Sequence, residues 1–163
     1  AARPGDARIE ARQEGVSGGE PVGCLRLWPG PLRGAEVHAA EVPLLIDEIP
    51  LVAVLGSAAE GRTRVLGAGE LRHKESDRLA ATAALLAAVG GRVELDDEGF
   101  VVRGPQRLRP GVVDPAGDHR LAMAGAVLAA AIPGGVTVRG FEAAEVSYPD
   151  FLATFRNLGG IAA

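Results

Sequence analysis

Apolar residues in this chain recur in blocks separated by glycine-rich and charged segments. The blocks at residues 47–59, 79–89 and 118–132 are long enough for helices and are rich in small aliphatic residues. Residues 61–67 and 134–140 are shorter and predict strands. The pattern therefore predicts an α/β fold in which helices and short strands alternate.

Two further segments predict β-hairpins. In residues 92–103, Arg-Val-Glu-Leu and Phe-Val-Val-Arg flank a four-residue turn, Asp-Asp-Glu-Gly. Residues 7–27 place two apolar stretches on either side of a glycine-rich turn. A last helix is predicted over residues 147–158, ended by two glycines.

The order of these elements repeats at a common interval. Asp47 and Asp118 each open a helix, Ser76 and Ser147 each precede one, and both pairs are 71 positions apart. Such a period indicates a duplicated unit, which we write βαβαββ.

The repeat predicts three parts within one lobe. Residues 1–34 are the hairpin remnant of an earlier unit, residues 35–110 a complete unit, and residues 111–163 a truncated final unit. Because both outer parts lack elements of the unit, we expect this chain to be a fragment of a longer protein. A complete small α/β domain with degenerate ends is the alternative.

Composition narrows the class of protein. The 163 residues suffice for one domain with a real core, which must be aliphatic because aromatics make up 4%.

A net charge of −4 without a basic run argues against nucleic acid as a partner. Residues 121–132 are too short an apolar stretch to span a membrane, and the first residues lack the apolar run of a signal peptide, so we expect a cytoplasmic protein without a membrane partner. The single cysteine, Cys24, excludes an internal disulfide and a cysteine metal cluster, and we expect it to be buried.

The densest group of charges, residues 70–78, lies immediately before a predicted helix. Ser76 or Asp77 can cap that helix. A helix N-terminus carries unpaired N–H groups and partial positive charge, which favour a bound phosphate or carboxylate.

Three side chains of this group have the chemistry of an anion site. Arg78 can hold a carboxylate or phosphate through two parallel bonds, and Lys74 adds a point charge. Glu75 can move protons if burial raises its pKa. If the first helical turn extends far enough, these side chains share a face. The alternative is a capped helix with a solvated, mutually neutralising charge cluster.

Two other helix starts are charged in the same way. Asp47 can cap its helix, where Pro50 is tolerated in the first turn. Asp118 can cap the third helix, followed by the titratable His119 and the guanidinium of Arg120. Each alone is typical of a simple cap. Repeated units point equivalent ends the same way, however, so the three starts could converge on one anionic ligand.

Four segments together resemble the 5-enolpyruvylshikimate-3-phosphate synthase family. They are Asp-Glu-Ile-Pro at 47–50, Leu-Arg-His-Lys-Glu-Ser-Asp-Arg at 71–78, Asp-His-Arg-Leu-Ala-Met at 118–123 and Ser-Tyr-Pro-Asp-Phe at 147–151. Their order and spacing agree with the family from about residue 7 onward. The resemblance implies a two-lobed enolpyruvyl transferase fold, an inside-out α/β barrel with three βαβαββ units per lobe. This chain would be an incomplete C-terminal lobe, with the N-terminal lobe absent.

The same resemblance implies an activity. Family members transfer the enolpyruvyl group of phosphoenolpyruvate to the 5-hydroxyl of shikimate 3-phosphate, by addition and then elimination of phosphate. They use no metal and no organic cofactor. The expected partners are therefore these small anionic substrates and the missing lobe, and the isolated fragment is expected to be inactive.

The resemblance also assigns substrate contacts. Arg78 and Arg120 bind phosphoenolpyruvate, and Lys74 and Asp47 bind shikimate 3-phosphate. Val146 occupies a position where many members have a lysine that contacts phosphoenolpyruvate, so one anion contact is in doubt.

Two carboxylates are implied to be catalytic. Asp47 is the candidate base for the attacking hydroxyl, and Glu75 the candidate acid and base for the methylene carbon. His119 is expected to support Arg120 or the substrate pocket. Two other functions stay open at this point: enolpyruvyl transfer to a UDP-sugar, and a non-catalytic anion-binding domain.

Overall fold

The computed structural model describes residues 6–162, which form two compact units, one ending at Leu32 and one beginning at Arg33. The first unit is an antiparallel hairpin of β1 (Arg8–Ser17) and β2 (Glu20–Trp28), as predicted. Its two-residue turn, Gly18-Gly19, has φ values of 60° and 89°. Such tight hairpin turns require positive φ, which glycine adopts without strain.

The second unit begins with the predicted βαβαββ order. Between residues 36 and 104, a four-stranded sheet has the strand order β3-β4-β6-β5, in which β3 is parallel to β4 and the other pairs are antiparallel. The elements in chain order are β3 (Glu36–Val37), α1 (Val42–Leu45), α2 (Ile49–Ala58), β4 (Gly61–Val65), α3 (Arg78–Ala88), β5 (Glu94–Asp96) and β6 (Gly99–Gly104).

The chain then continues with a second, shorter βαβα series. Strands β7 and β8 pair in parallel across α4, and α5 follows. The bounds are β7 (Val112–Val113), α4 (His119–Ala130), β8 (Thr137–Val138) and α5 (Phe151–Asn157). The α/β class and its repeated order are therefore confirmed, while the unit boundaries at residues 34 and 110 stay predictions.

Three local expectations were wrong. The turn between β5 and β6 has two residues rather than four, because Asp96 already pairs with Gly99. Asp47 does not cap α2, whose N-cap residue is Glu48 without a side-chain bond. Cys24 is exposed rather than buried, since almost the whole of β2 is exposed on both of its faces.

The ends of α3 show why this helix forms where it does. The side chain of Asp77 accepts a hydrogen bond from the Ala80 amide, which caps the first turn. At the other end, Gly90 has φ 84°, and the Gly91 amide donates to the Leu86 carbonyl at 2.8 Å. A left-handed glycine that closes the last turn in this way ends a helix without leaving its carbonyls unpaired.

An aliphatic core joins the two series of elements. Buried residues from Val37 to Ile132 form one cluster, in which Phe100 is the large ring and the rest are mostly Val, Leu, Ile and Ala. Helices α2, α3 and α4 contact one another in this core. Their packing places the starts of the three helices within reach of each other's side chains. No helix within residues 6–162 is both long and apolar enough to cross a membrane.

Candidate active site

Arg78 lies at the centre of a buried ionic cluster. It is the first residue of α3, and its side chain is 1% exposed. Its Nε donates to Asp118 Oδ2 at 2.8 Å, its Nη1 to Asp47 Oδ1 at 2.8 Å, and its Nη2 to Glu75 Oε2 at 2.6 Å. A buried guanidinium needs such partners, because an unpaired charge in the interior is strongly unfavourable.

The pKa of Arg78 reflects this environment. Burial alone would lower it, but the hydrogen bonds to Asp118 and Asp47 outweigh burial and raise the pKa. One side chain thus stays charged while it joins the starts of α2, α3 and α4.

Asp118 holds Arg78 from the inner side of the cluster. Its side chain is 0% exposed, and besides Arg78 it accepts hydrogen bonds from Ser76 Oγ at 3.0 Å and from the Arg120 amide at 2.9 Å. The last of these caps α4. Burial alone would raise the pKa of Asp118, yet the hydrogen bonds from Arg78 and Ser76 lower it. This carboxylate therefore remains ionised although it is sealed from water.

Asp47 approaches Arg78 from the open side. Its side chain is 40% exposed, and its second oxygen accepts a bond from Arg120 Nη2 at 3.1 Å. Burial acts to raise the pKa of Asp47, but Arg78, Arg120 and Lys74 together lower it. Both oxygens are engaged with guanidinium groups, which is why Asp47 does not cap α2.

Lys74 and Glu75 lie in the segment before α3 rather than in its first turn. Helix α3 begins only at Arg78, so the condition for a shared helical face is not met. Glu75 is 53% exposed and reaches Arg78 from this segment, whereas Lys74 donates to Glu70 Oε1 at 3.0 Å. These two candidate site residues therefore lie on a stretch that neither neighbouring helix includes.

Arg120 is the second guanidinium of the cluster. Its Nη1 donates to Glu48 Oε1 at 3.1 Å and its Nη2 to Asp47, while its Nε is buried without a hydrogen-bond partner among the described residues. His119 begins α4 and is half-buried. Val146 is 83% exposed at the end of a 3₁₀ turn.

The cluster contains more carboxylates than cations. Lys74, Arg78 and Arg120 are matched against Asp47, Glu48, Glu70, Glu75 and Asp118. Among these carboxylates Asp118 is sealed, while the other four are at least 40% exposed. The Nη atoms of both arginines are thus bonded to exposed carboxylates, those of Asp47, Glu48 and Glu75. Within residues 6–162, no group of His, Cys, Asp and Glu side chains is arranged to hold a metal ion.

Comparison with known proteins decides the family. The family model described as EPSP synthase (3-phosphoshikimate 1-carboxyvinyltransferase) matches residues 9–155. The chain belongs to the EPSP synthase family. Similar proteins named 3-phosphoshikimate 1-carboxyvinyltransferase include that of Roseiflexus sp. (strain RS-1), 43% identical over 89% of this chain and 34% of the relative. That of Methylobacterium radiotolerans is 46% identical over 94% of this chain and 35% of the relative.

Solved structures support the same family. An EPSP synthase from Acinetobacter baumannii matches 93% of this chain and 36% of its own, with a TM-score of 0.86 and 30% identity. The enolpyruvyl transferase NikO from Streptomyces tendae matches 93% of this chain and 33% of its own, with a TM-score of 0.67 and 28% identity. The chain thus has the fold of EPSP synthases and spans about a third of their length.

In this EPSP synthase family member, the predicted site residues are brought together only in part. Asp47, Glu75, Arg78 and Arg120 form one connected network, and Lys74 lies next to it in sequence but pairs with Glu70. The substrate and proton roles of these residues, and the supporting role of His119, stay predictions.

Asp118, Ser76 and Glu48 belong to the network, although none of them was assigned a site role from sequence. Asp118 was expected only as a cap, and Ser76 only as a possible cap, yet both bind in the network around Arg78. The available signal was the repeat, which places Asp118 at the position equivalent to Asp47.

Proposed function

We propose that this chain supplies part of the active site of a 3-phosphoshikimate 1-carboxyvinyltransferase. The reaction transfers the enolpyruvyl group of phosphoenolpyruvate to the 5-hydroxyl of shikimate 3-phosphate and releases phosphate. The observation that carries the proposal is the network in which Arg78 and Arg120 meet Asp47 and Glu75, in a chain of this family. We further propose that the reaction occurs in the cytoplasm and uses no metal or organic cofactor.

The first step is an exchange of anions on the two arginines. The phosphate and carboxylate of phosphoenolpyruvate replace the exposed carboxylates of Asp47, Glu48 and Glu75. Arg78 and Arg120 suit this exchange, because a guanidinium binds either group through two parallel bonds. The buried contact from Asp118 persists and keeps Arg78 oriented.

The exchange also prepares the proton carriers. While Asp47 is bound to arginines its pKa is low, which makes it a weak base. Once the ligand neutralises those arginines, the pKa of Asp47 rises toward its ordinary value, so the carboxylate can accept the proton of the attacking hydroxyl. Glu75, released in the same step, takes up a proton from solvent and gives it to the methylene carbon. When phosphate is eliminated, Glu75 takes a proton back from that carbon.

The cations stabilise the intermediate. Phosphoenolpyruvate and shikimate 3-phosphate are both anionic, and their tetrahedral adduct keeps those charges. Lys74, released from Glu70, contacts shikimate 3-phosphate, while Arg78 and Arg120 hold the phosphoenolpyruvate part. Fixed positive charge that meets the adduct lowers the barrier, because it needs no reorganisation during the reaction.

We propose that turnover requires the remainder of the enzyme. The chain spans 34% of the Roseiflexus relative, and a half-open site cannot exclude water from the reacting groups. Alone, the chain is expected to fold and to bind phosphoenolpyruvate weakly, without releasing phosphate.

Complementation tests this function. The chain is co-expressed with the remaining two thirds of the Methylobacterium radiotolerans relative, and phosphate release from phosphoenolpyruvate is measured with shikimate 3-phosphate or with UDP-N-acetylglucosamine as acceptor. Activity with shikimate 3-phosphate alone is expected from the pair and from neither part by itself. Activity only with the UDP-sugar would show that the acceptor is a UDP-sugar. If the pair bound phosphoenolpyruvate without turnover, a non-catalytic anion-binding domain would be favoured.

A further inference from the structure

The segment that carries Lys74 and Glu75 lies between two helical pieces. A 3₁₀ turn ends at His73, and α3 begins at Arg78. Neither piece includes Lys74 or Glu75. Lys74 bonds to Glu70 and Glu75 to Arg78, but the backbone that carries them is held only by contacts at the ends of the segment.

Arg72 makes such contacts at the first end. Its Nη2 donates to the Asp96 carbonyl at 2.7 Å and its Nε to the Asp97 carbonyl at 3.2 Å, while its Nη1 donates to Asp77 Oδ2 at 2.9 Å. The guanidinium thus joins the turn between β5 and β6 to the far end of the segment. A planar group held at three points has a fixed orientation, which the single ammonium of a lysine could not reproduce.

Asp77 closes the segment at the second end. One oxygen accepts the bond from Arg72, and the other accepts the Ala80 amide at 3.0 Å, which caps α3. Residues 72–77 consequently form a short loop whose two ends are joined by an ion pair. A backbone bond from the Ala68 amide to the Glu98 carbonyl, at 2.6 Å, ties the preceding turn to the same β-turn.

We infer that Arg72 and Asp77 form a positioning clasp that holds Lys74 and Glu75 in place for chemistry at Arg78. Exposed ion pairs usually contribute little to stability, because two long side chains must be ordered in water. This pair differs because Arg72 also bonds two backbone carbonyls and Asp77 also caps α3. Loss of the pair therefore frees a loop rather than a single side chain. The catalytic consequence rests on the proposed function, whereas the ordering of the loop does not.

The first test measures the loop in this chain by ¹⁵N relaxation. In the unsubstituted chain the amides of Lys74 and Glu75 are expected to have order parameters near 0.85, and in Arg72→Gln they are expected to fall below about 0.6. Asp77→Ser should give the same result, since serine keeps the helix cap but cannot reach Arg72.

The matched control is Arg103→Gln. Arg103 pairs with Glu94 at 3.3 Å across the same hairpin, and both side chains are more than 60% exposed. This variant should leave the order parameters of Lys74 and Glu75 unchanged. If Arg72→Gln leaves them unchanged as well, the clasp is refuted.

The second test measures turnover in the complemented enzyme. Arg72→Gln and Asp77→Ser are each expected to lower kcat about tenfold or more through misplacement of Glu75. The KM for phosphoenolpyruvate should change less than about threefold, because Arg78 and Arg120 keep their own contacts. The double variant should be no slower than the slower single one.

The outcomes separate the two proposals. An inactive complemented enzyme counts against the proposed function, and the relaxation experiment still decides the clasp. An active enzyme whose kcat is equal in Arg72→Gln and Arg103→Gln would refute the positioning role while the function stands. A loss of thermal stability in Arg72→Gln with an unchanged kcat would show a merely structural contact.

Discussion

The starts of α2 and α4 occupy equivalent places in the repeat, yet their aspartates behave differently. Asp47 and Asp118 are 71 residues apart, and both bind Arg78. Asp118 caps its helix and is fully buried, whereas Asp47 caps nothing and is 40% exposed. Equivalent positions of the repeat thus carry the same residue, and the packing around each aspartate determines whether it is buried and whether it caps a helix.

Because of this difference in burial, the contact between Asp118 and Arg78 is fixed, whereas the contact between Asp47 and Arg78 can be exchanged for a ligand. A buried carboxylate fixes the guanidinium, because breaking this contact would leave the charge of Asp118 in the interior without a charged partner. An open carboxylate can leave, because water solvates it. Arg78 is therefore anchored on one side and available to a ligand on the other.

The largest expected effect is on turnover and concerns the exposed carboxylates of Asp47 and Glu75. In the complemented enzyme, Glu75→Gln and Asp47→Asn should each lower kcat by roughly 10²–10⁴, since each removes a group that moves a proton. The exposed Glu94→Gln serves as a control and should leave kcat unchanged. A loss under about threefold would leave Glu75 and Asp47 with a structural role only.

The next largest effect is on the free energy of unfolding and concerns the buried carboxylate of Asp118. Asp118→Asn should lower the free energy of unfolding by about 3–5 kcal/mol, because it leaves Arg78 charged and incompletely paired in the interior. Asp47→Asn should cost less than about 1 kcal/mol. Urea denaturation of this chain measures both. Equal losses in the two variants would contradict the distinction between the two aspartates.

A smaller effect is expected at Ser76. Its hydroxyl donates to Asp118, and a hydrogen bond to a charged group contributes about 1.5–3 kcal/mol. Ser76→Ala should therefore lower the free energy of unfolding by about this amount, and Ser76→Thr should retain most of it. If alanine and threonine are equally stable at this position, the hydroxyl does not support Asp118.

The smallest effect is a change in pH dependence. Asp47 and Asp118 both have a pKa below the ordinary 3.8 in the folded chain, so the stability they contribute is present above that value and is lost as the pH falls through the folded pKa. The free energy of unfolding should thus decrease as the pH drops below about 4. Asp118→Asn and Asp47→Asn should each flatten this decrease. An unchanged pH dependence in either variant would show that its carboxylate does not contribute.

Sequence predicted the fold better than it predicted the roles at the helix starts. The βαβαββ order, the capping of α3 and α4 and the aliphatic core all follow from local pattern. The role of Asp118 does not follow from such a pattern, because its burial results from the packing of α2, α3 and α4 on one another. Nothing local to Asp47 distinguishes it from Asp118, so its failure to cap α2 becomes visible only when Arg78 and Arg120 are in place.

The bonds from Arg72 to two backbone carbonyls likewise could not be predicted from the sequence. Its partners, Asp96 and Asp97, lie more than twenty positions away in a turn whose length was itself predicted wrongly. The register between β5 and β6 determines where these two carbonyls lie, and the sequence pattern did not give that register correctly.

The most direct test of the account follows the carboxyl ¹³C signals of Asp47, Glu75 and Asp118 while phosphoenolpyruvate is added to this chain, with sodium chloride at matched ionic strength as the control. The exchange of anions on Arg78 predicts that the signals of Asp47 and Glu75 shift with phosphoenolpyruvate, whereas the signal of Asp118 stays in place. A shift of Asp118 as large as that of Asp47, or signals of Asp47 and Glu75 that respond no more than in sodium chloride, would contradict it.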